Sequence, residues 1–197
     1  MRHDYDVLQS DEVFAGRVIA VRKDVVAMPG GTRSQRDVIE HPGAVGVVAL
    51  RADEVLLVNQ YRHPVQRRLD ELPAGLLDVP GENPWAAAQR ELVEEAGLTA
   101  GRWDVLVDAL TSPGMTDEAI RIYLARDVTV VDRDVQEHEE LEMTSVWIPL
   151  EDAVHRVLAG ALENATACLG VMAAAHAYRT GFIGLRPADA PWRAQKT

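Results

Sequence analysis

Apolar residues in the first 61 positions fall into short runs that turn-forming residues separate. Residues 18–26 are rich in apolar side chains and predict a strand, and the Met28-Pro29-Gly30-Gly31 sequence predicts a turn after it. Residues 35–41 can return as the second strand of a hairpin. A nearly continuous apolar run at 44–50 predicts a strand buried on both faces, and residues 54–61 predict the strand that follows.

The pattern changes after Pro73, where proline and Gly75 begin a loop that runs to Glu82. A proline at the first turn, a run of alanines and Gly97 at the end predict a helix over residues 84–96. Further strands are predicted at 103–109, 120–125 and 144–148, and helices at 150–158 and 162–178. Because strands and helices do not alternate strictly, this order favours an α+β fold or an α/β/α sandwich over a doubly wound parallel sheet.

Composition narrows the classes of function. A chain of 197 residues with 47% hydrophobic residues suits one domain, with or without a small N-terminal extension. The formal net charge of −11 disfavours nucleic acid and anionic membranes as partners, but a small phosphate-containing substrate stays compatible with a bound cation. A single cysteine, Cys168, and a polar N-terminus without a signal peptide favour a cytoplasmic protein.

An acidic cluster on the predicted helix carries the candidate chemistry. Glu91, Glu94 and Glu95 are three and four residues apart, so they project from neighbouring positions on one side. Such a run most often forms a solvated charged face. The alternative is a site for a divalent cation, which would remove the repulsion, and oxygen ligands suit Mg²⁺ or Mn²⁺.

The spacing around this helix resembles the Nudix box. Gly75 is followed by six residues, Glu82, seven residues and then the Arg90-Glu91-Leu92-Val93-Glu94-Glu95-Ala96-Gly97-Leu98 segment. Every defined residue of the box is present, and the loop between Gly75 and Glu82 is one residue longer than usual. The resemblance implies a Nudix α/β/α sandwich with a mixed sheet and an N-terminal β-rich extension. We divide the chain into residues 1–42, the Nudix domain at 43–185 and a loose tail at 186–197.

The resemblance also implies roles for individual residues. Glu91, Glu95 and the backbone carbonyl of Ala74 match metal ligands, and Glu94 matches a catalytic glutamate that contributes directly or through water. Glu82 and Arg90 match a structural salt bridge. The implied cofactor is Mg²⁺, with Mn²⁺ as an alternative.

A second acidic segment, residues 136–144, is a candidate source of the general base. Its residues resemble the mobile loop of actinobacterial-type ADP-ribose pyrophosphatases within the Nudix family. By that similarity Glu140 matches the base and Glu142 a further metal contact. Glu139 is the alternative base, and His138 could also act as one.

The substrate-binding candidates also follow from the resemblance to the ADP-ribose pyrophosphatase branch. Pro113 follows Leu98 by fifteen residues, a spacing that marks this branch. Members of the branch are commonly dimers that exchange their N-terminal regions, so we expect a homodimer with residues 1–42 at its interface. The candidates are Arg36, His41, Arg62, Leu76, Ser112, Pro113, Gly114 and Glu118.

Taken together, the motifs imply Mg²⁺-dependent hydrolysis of ADP-ribose to AMP and ribose 5-phosphate. The box binds only the pyrophosphate group, so hydrolysis of another nucleoside-diphosphate sugar or of a dinucleoside polyphosphate remains an alternative. A regulator that binds ADP-ribose without cleaving it is a third possibility, disfavoured because no box carboxylate is missing.

Overall fold

Two separate sheets organise the chain in a computed structural model, which describes residues 5–132 and 143–194. One compact unit comprises residues 5–43, 110–119 and 194, and the second comprises residues 44–109, 120–132 and 143–193. The segment that resembles the Nudix box therefore lies wholly in the second unit.

The first unit contains an antiparallel sheet. Its strands are β1 (Val7–Ala15), β2 (Ala20–Ala27) and β3 (Arg33–Glu40), with β2 paired to both neighbours. Asp24 on β2 is 3% exposed and accepts a hydrogen bond from Ser10 at 2.7 Å. Strands β2 and β3 correspond to the predicted hairpin. Every residue of β1 is exposed, so β1 has no buried alternation from which its bounds could be predicted.

The second unit is built on a mixed sheet. Its strands are β4 (Ala44–Arg51), β5 (Glu54–Arg62), β6 (Arg67–Glu71), β7 (Ala74–Leu76), β8 (Leu98–Leu110), β9 (Ala119–Val130), β10 (Thr144–Pro149) and β11 (Arg186–Pro187). Over the described residues their order is β10-β5-β4-β9-β8-β11, while β6 pairs with β5 and β7 with β4. Strand β4 is parallel to β9 but antiparallel to β5 and β7, which confirms the mixed sheet.

Helices cover both faces of this sheet. Helix α1 (Pro84–Ala96) packs with Val45 and Val47 on one face, whereas α2 (Leu150–Leu158) and α3 (Ala165–Arg179) pack with Val48 on the other. Alternate residues of β4 thus point to opposite cores, and both cores are apolar. This arrangement confirms the predicted sandwich and the burial of β4. Within residues 5–132 and 143–194, no helix is long and apolar enough to cross a bilayer.

Three short features differ from the sequence-based expectations. The helix predicted from residue 162 begins at Ala165, because the side chain of Asn164 accepts a hydrogen bond from the Ala167 N–H at 2.9 Å and caps it. Strand β6 lies in a stretch for which no element was predicted, and β7 lies in the stretch predicted as loop. They are five and three residues long, too short for a clear hydrophobic period.

The segment after Leu185 also differs from the expected loose tail. Arg186 and Pro187 pair with β8, and Ala188 and Trp192 are each 8% exposed. Proline and alanine in this segment favoured a loose tail, but the Trp192 side chain is buried and supplies an apolar contact that holds the segment in place.

Candidate active site

Helix α1 is positioned by signals at both of its ends. The Asn83 side chain accepts a hydrogen bond from the Ala86 N–H at 2.8 Å, and Pro84 occupies the first turn. At the other end Gly97 adopts a left-handed backbone conformation with φ 63°, which glycine adopts without strain. The helix matches the predicted range of 84–96. Its glutamates therefore occupy the relative positions that their spacing predicts.

Gly75 on β7 makes the closest approach to these glutamates. A Cβ atom placed on Gly75 would lie 1.8 Å from Oε1 and 2.0 Å from Cδ of Glu91. Non-bonded atoms cannot approach this closely, so only glycine fits while Glu91 keeps this position. The side chain of Glu91 is 13% exposed. The glycine and this glutamate of the motif, sixteen residues apart in sequence, are thus in direct contact.

Glu95 is the most deeply buried of the three glutamates on this side of α1. It is 9% exposed, and its Oε2 accepts a hydrogen bond from the Ala74 N–H at 2.9 Å. Burial raises the pKa of Glu95 to about 8, against the opposing effect of that hydrogen bond. The nearby charge of Glu91 raises the pKa further, and that of Arg62 lowers it. A positive charge at this position would stabilise the ionised carboxylate.

Arg90 connects three carboxylates of the motif. It donates two hydrogen bonds to Glu82, each 3.1 Å long, one to Glu91 Oε1 at 2.7 Å and one to Glu94 Oε2 at 2.8 Å. The bond to Glu82 is the main reason that the pKa of Arg90 is raised. Burial raises the pKa of Glu91, and the charge of Arg90 opposes that change. The predicted Glu82–Arg90 salt bridge is present, and Arg90 additionally orients two candidate functional glutamates.

An ion pair with a buried carboxylate, which the sequence analysis did not identify, lies beside this cluster. Glu71 on β6 is 2% exposed, and Arg62 donates to both of its carboxylate oxygens, with the shortest distance 2.7 Å. Both residues influence the pKa of Glu95 electrostatically. The local sequence gives no signal for this burial, because Glu71 follows another acid, Asp70, and its partner Arg62 lies nine residues earlier. Arg62, a substrate-binding candidate, is thus fixed by a carboxylate.

The donor atoms of this region suit a hard divalent cation. Glu91, Glu95 and the Ala74 carbonyl offer oxygen only, and buried Glu95 forms no ion pair with another residue of 5–132 and 143–194. In the described part of the chain, no three or more carboxylate, imidazole or thiol side chains form a group that could hold a metal. Arg90 instead forms ion pairs with Glu91 and Glu94, and a cation would share the oxygens of these carboxylates with Arg90.

The substrate-binding candidate Leu76 lies on β7. It is half-buried and pairs with Ala44.

The first unit brings together two of the substrate-binding candidates. The His41 N–H donates to Asp117 at 2.9 Å, and His41 Nε2 lies 3.9 Å from Oε1 of Glu118. Thr111 donates from its hydroxyl to Oε2 of Glu118 at 2.6 Å. Asp117 and Thr111 were not among the predicted residues. Their contacts fix the positions of His41 and Glu118, which were among the predicted residues.

Four other candidates in this unit are exposed. Ser112, Pro113 and Gly114 form a turn in which the Ser112 carbonyl accepts two hydrogen bonds of 3.0 Å, from the N–H groups three and four residues later. Arg36 lies on β3 and donates to the neighbouring Gln35 carbonyl at 2.8 Å. These four residues are accessible to a ligand.

The acidic segment that supplied the base candidates lies outside the described residues. This applies to Glu140 and Glu142, and to the alternatives Glu139 and His138. Their roles stay predictions.

Comparison with known proteins adds independent information. A model of the NUDIX domain matches residues 40–167. The ADP-ribose pyrophosphatase of Mycobacterium tuberculosis (strain ATCC 25618 / H37Rv) is 48% identical over 191 residues, which cover 96% of this chain and 92% of that protein. The ADP-ribose pyrophosphatase of Bacillus subtilis (strain 168) is 37% identical over 153 residues, or 76% and 81% of the two chains. A solved structure described as an ADP compounds hydrolase has a TM-score of 0.79 at 22% identity, covering 92% of this chain and 98% of that one, and shows a shared fold.

Proposed function

We propose that this chain, which belongs to the NUDIX family, is a hydrolase that cleaves the pyrophosphate bond of ADP-ribose to give AMP and ribose 5-phosphate. The observation that carries the proposal is the contact between Gly75 and Glu91 beside the buried carboxylate of Glu95. This arrangement suits a cation that binds pyrophosphate. The names of the two similar pyrophosphatases point to ADP-ribose as the substrate.

The proposal assigns a divalent cation, Mg²⁺ or Mn²⁺, to Glu91, Glu95 and the carbonyl of Ala74. Such a cation neutralises phosphate oxygens and lowers the pKa of water. Glu94 has a catalytic role, direct or through water, and Arg90 keeps Glu91 and Glu94 oriented through its hydrogen bonds. A preorganised carboxylate does not have to reorient when the cation binds.

Arg62 is proposed to bind a substrate phosphate. Glu71 accepts two parallel hydrogen bonds from it and thereby fixes the plane of the guanidinium, a geometry suited to recognition of an anion. Leu76 is proposed as a further substrate contact. In the first unit, His41 and Glu118 form the best-supported pair of substrate contacts, because they lie 3.9 Å apart and Asp117 and Thr111 each hydrogen-bond one of them. The exposed candidates Arg36, Ser112, Pro113 and Gly114 complete the proposed set.

Glu140 is proposed as the general base and Glu142 as a further metal contact, both by resemblance alone. A base removes the proton from water as it attacks phosphorus, and such catalysis typically contributes about 10²–10⁴-fold to a rate. The proposal also includes a homodimer and a cytoplasmic location. The single cysteine supports the location, because proteins of oxidising compartments commonly contain paired cysteines.

One experiment tests the cation, base and substrate assignments together. Purified wild-type protein is assayed with Mg²⁺ on ADP-ribose and on a panel of other nucleoside-diphosphate sugars and dinucleoside polyphosphates, with identification of products. We expect preferential formation of AMP and ribose 5-phosphate from ADP-ribose. Glu95→Gln should lower turnover by several orders of magnitude because it removes a metal-binding charge. Glu140→Gln should lower it by about 10²–10⁴-fold.

Glu139→Gln is the matched control for the base, because it makes the same change on the adjacent residue. Loss of activity in Glu139→Gln with a wild-type rate in Glu140→Gln would transfer the base to Glu139. An active Glu95→Gln protein would refute the metal assignment. Preference for another substrate in the panel would refute ADP-ribose and leave the class of reaction intact.

A further inference from the structure

The loop from Thr111 to Glu118 lies in the first unit and contains four of the proposed substrate contacts. Its two end residues bond each other twice. The Thr111 N–H donates to the Glu118 carbonyl at 3.2 Å, and the Thr111 hydroxyl donates to Oε2 of the Glu118 side chain at 2.6 Å. Thr111 is not one of the proposed contacts, yet it holds the side chain of one of them.

The main chain of this loop is fixed by further hydrogen bonds. The Glu118 N–H donates to the Thr116 hydroxyl at 3.1 Å. The loop also bonds the end of β3, because the Ile39 N–H donates to the Met115 carbonyl at 2.8 Å and the Asp117 N–H donates to the Ile39 carbonyl at 3.2 Å. The backbone position of Glu118 therefore does not depend on the hydroxyl contact alone.

The two carboxylate oxygens of Glu118 have different surroundings. Oε2 accepts the Thr111 hydroxyl, whereas Oε1 lies 3.9 Å from Nε2 of His41, beyond hydrogen-bonding distance. The Gly43 N–H donates to Nδ1 of His41 at 3.1 Å, so a neutral imidazole carries its proton on Nε2, the nitrogen that faces Oε1. The Glu118 side chain is 30% exposed, and a ligand can therefore reach it.

The Thr111 hydroxyl restricts the rotation of this carboxylate. A glutamate side chain has three rotatable bonds, and ordering it when a ligand binds costs conformational entropy. A side chain that is already held avoids part of this cost, and a hydrogen bond to an ionised carboxylate is stronger than one between neutral groups. We infer that Thr111 is a positioning residue, whose hydroxyl holds Glu118 in the orientation that binds the substrate. The inference rests on the proposed function, in which Glu118 contacts the substrate.

Steady-state kinetics with ADP-ribose and Mg²⁺ test this role. Thr111→Val removes the hydroxyl and keeps the branched shape and the backbone bond. We expect KM to rise about tenfold and kcat to stay within about twofold, because a contact common to bound substrate and transition state affects KM alone. Thr111→Ser keeps the hydroxyl and should restore the wild-type KM. Thr129→Val, the control, makes the same change at an exposed threonine of β9 and should leave KM unchanged.

A second comparison separates positioning from a purely structural role. In a Glu118→Ala protein the hydroxyl has no carboxylate to hold, so the addition of Thr111→Val should not raise KM further. A structural role would raise KM in both backgrounds. Thr111→Ala also lacks the hydroxyl and should match Thr111→Val, although its shape differs. Thermal unfolding curves verify that each variant is folded at the assay temperature.

The outcomes distinguish this inference from the proposed function. A wild-type protein that does not cleave ADP-ribose refutes the proposed substrate, and the variants are then compared on the nucleotide that it cleaves best. A wild type that cleaves no member of the panel refutes the proposed hydrolysis together with the inference. With an active wild type, three results overturn the inference alone. These are a wild-type KM in Thr111→Val, a KM in Thr111→Ser as high as in Thr111→Val, and additive effects of Thr111→Val and Glu118→Ala.

Discussion

The contact between Gly75 and Glu91 leads to a prediction about a single methyl group. Gly75→Ala places a Cβ where the Glu91 carboxylate lies, so either the side chain or β7 must move. We expect the free energy of unfolding to fall by about 1–3 kcal/mol, as for other overpacked sites. Displacement of Glu91 should also weaken Mg²⁺ binding. Urea unfolding and calorimetric titration with Mg²⁺ measure the two effects.

Gly101→Ala is the matched control for this substitution. Its Cβ would meet Asp127 Cβ at 3.5 Å, an ordinary contact. Both properties should therefore stay close to those of the wild type. A Gly75→Ala protein with unchanged stability and Mg²⁺ affinity would show that the close approach is not required.

Individual residues differ in how well the sequence predicts their roles. The Glu82–Arg90 salt bridge was predicted because both residues belong to a motif of fixed spacing, and the structure contains it. Glu71 was not predicted, because its burial depends on β6 pairing with β5 and on the partner Arg62 nine residues away. Contacts of this kind arise from tertiary structure and leave no local pattern.

At the scale of elements, helix α1 buries a carboxylate on the side that packs on the sheet. The pKa of Glu95 is raised to about 8, from an ordinary value of 4.5, chiefly by burial. Between these values the folded protein binds more protons than the unfolded chain. In the absence of a divalent cation, the contribution of Glu95 to the free energy of unfolding should therefore decrease as pH rises from about 4.5 to 8. Urea unfolding at a series of pH values, in EDTA, measures this dependence.

Two variants isolate the contribution of Glu95 to that dependence. Glu95→Gln should show a smaller decrease, because glutamine has no proton to release and only the raised pKa of Glu91 remains. Glu94→Gln changes a glutamate on the same helix whose side chain is 37% exposed, and should retain the decrease. The same slope in the wild type and Glu95→Gln would contradict the assignment of the raised pKa.

The boundaries of helices and strands were predictable where residues at the boundary itself determine the local backbone conformation. Both ends of helix α1 were predicted correctly, because Pro84 and Gly97 determine the backbone conformation at their own positions. Strand β4 was predicted because a continuous apolar run is stable only when both faces of the strand are buried. Strand β7 was missed although it carries Ala74 and Gly75. Its three residues are ordered by pairing with β4, thirty positions earlier in the chain.

At the scale of the whole molecule, the segment after Leu185 supplies hydrogen-bond acceptors to the buried guanidinium of Arg121. Arg121 on β9 is 2% exposed and pairs with Asp108 at 2.7 Å. It also donates to the carbonyls of Ala190 at 2.6 Å and Pro191 at 3.1 Å, and lies 5.1 Å from the Trp192 ring. A buried guanidinium needs acceptors for its donors, and this segment supplies two of them.

A chain ending at Leu185 should be less stable than the full chain. It loses two charged hydrogen bonds of Arg121, and we expect the free energy of unfolding to fall by about 2–4 kcal/mol, measured by urea unfolding. A chain ending at Arg193 retains these carbonyls and Trp192, and serves as the control. Equal stability of the two shortened chains would refute a structural role for this segment.

The pairing of Arg121 with Pro191 also sets an order of events during protein synthesis. The two residues are 70 positions apart, and a ribosome adding about 5–20 residues per second needs about 4–14 s to make the intervening chain. Throughout that interval the nascent chain contains Arg121 but neither of its carbonyl partners. Translation therefore determines the earliest moment at which the interior of this sheet can be completed.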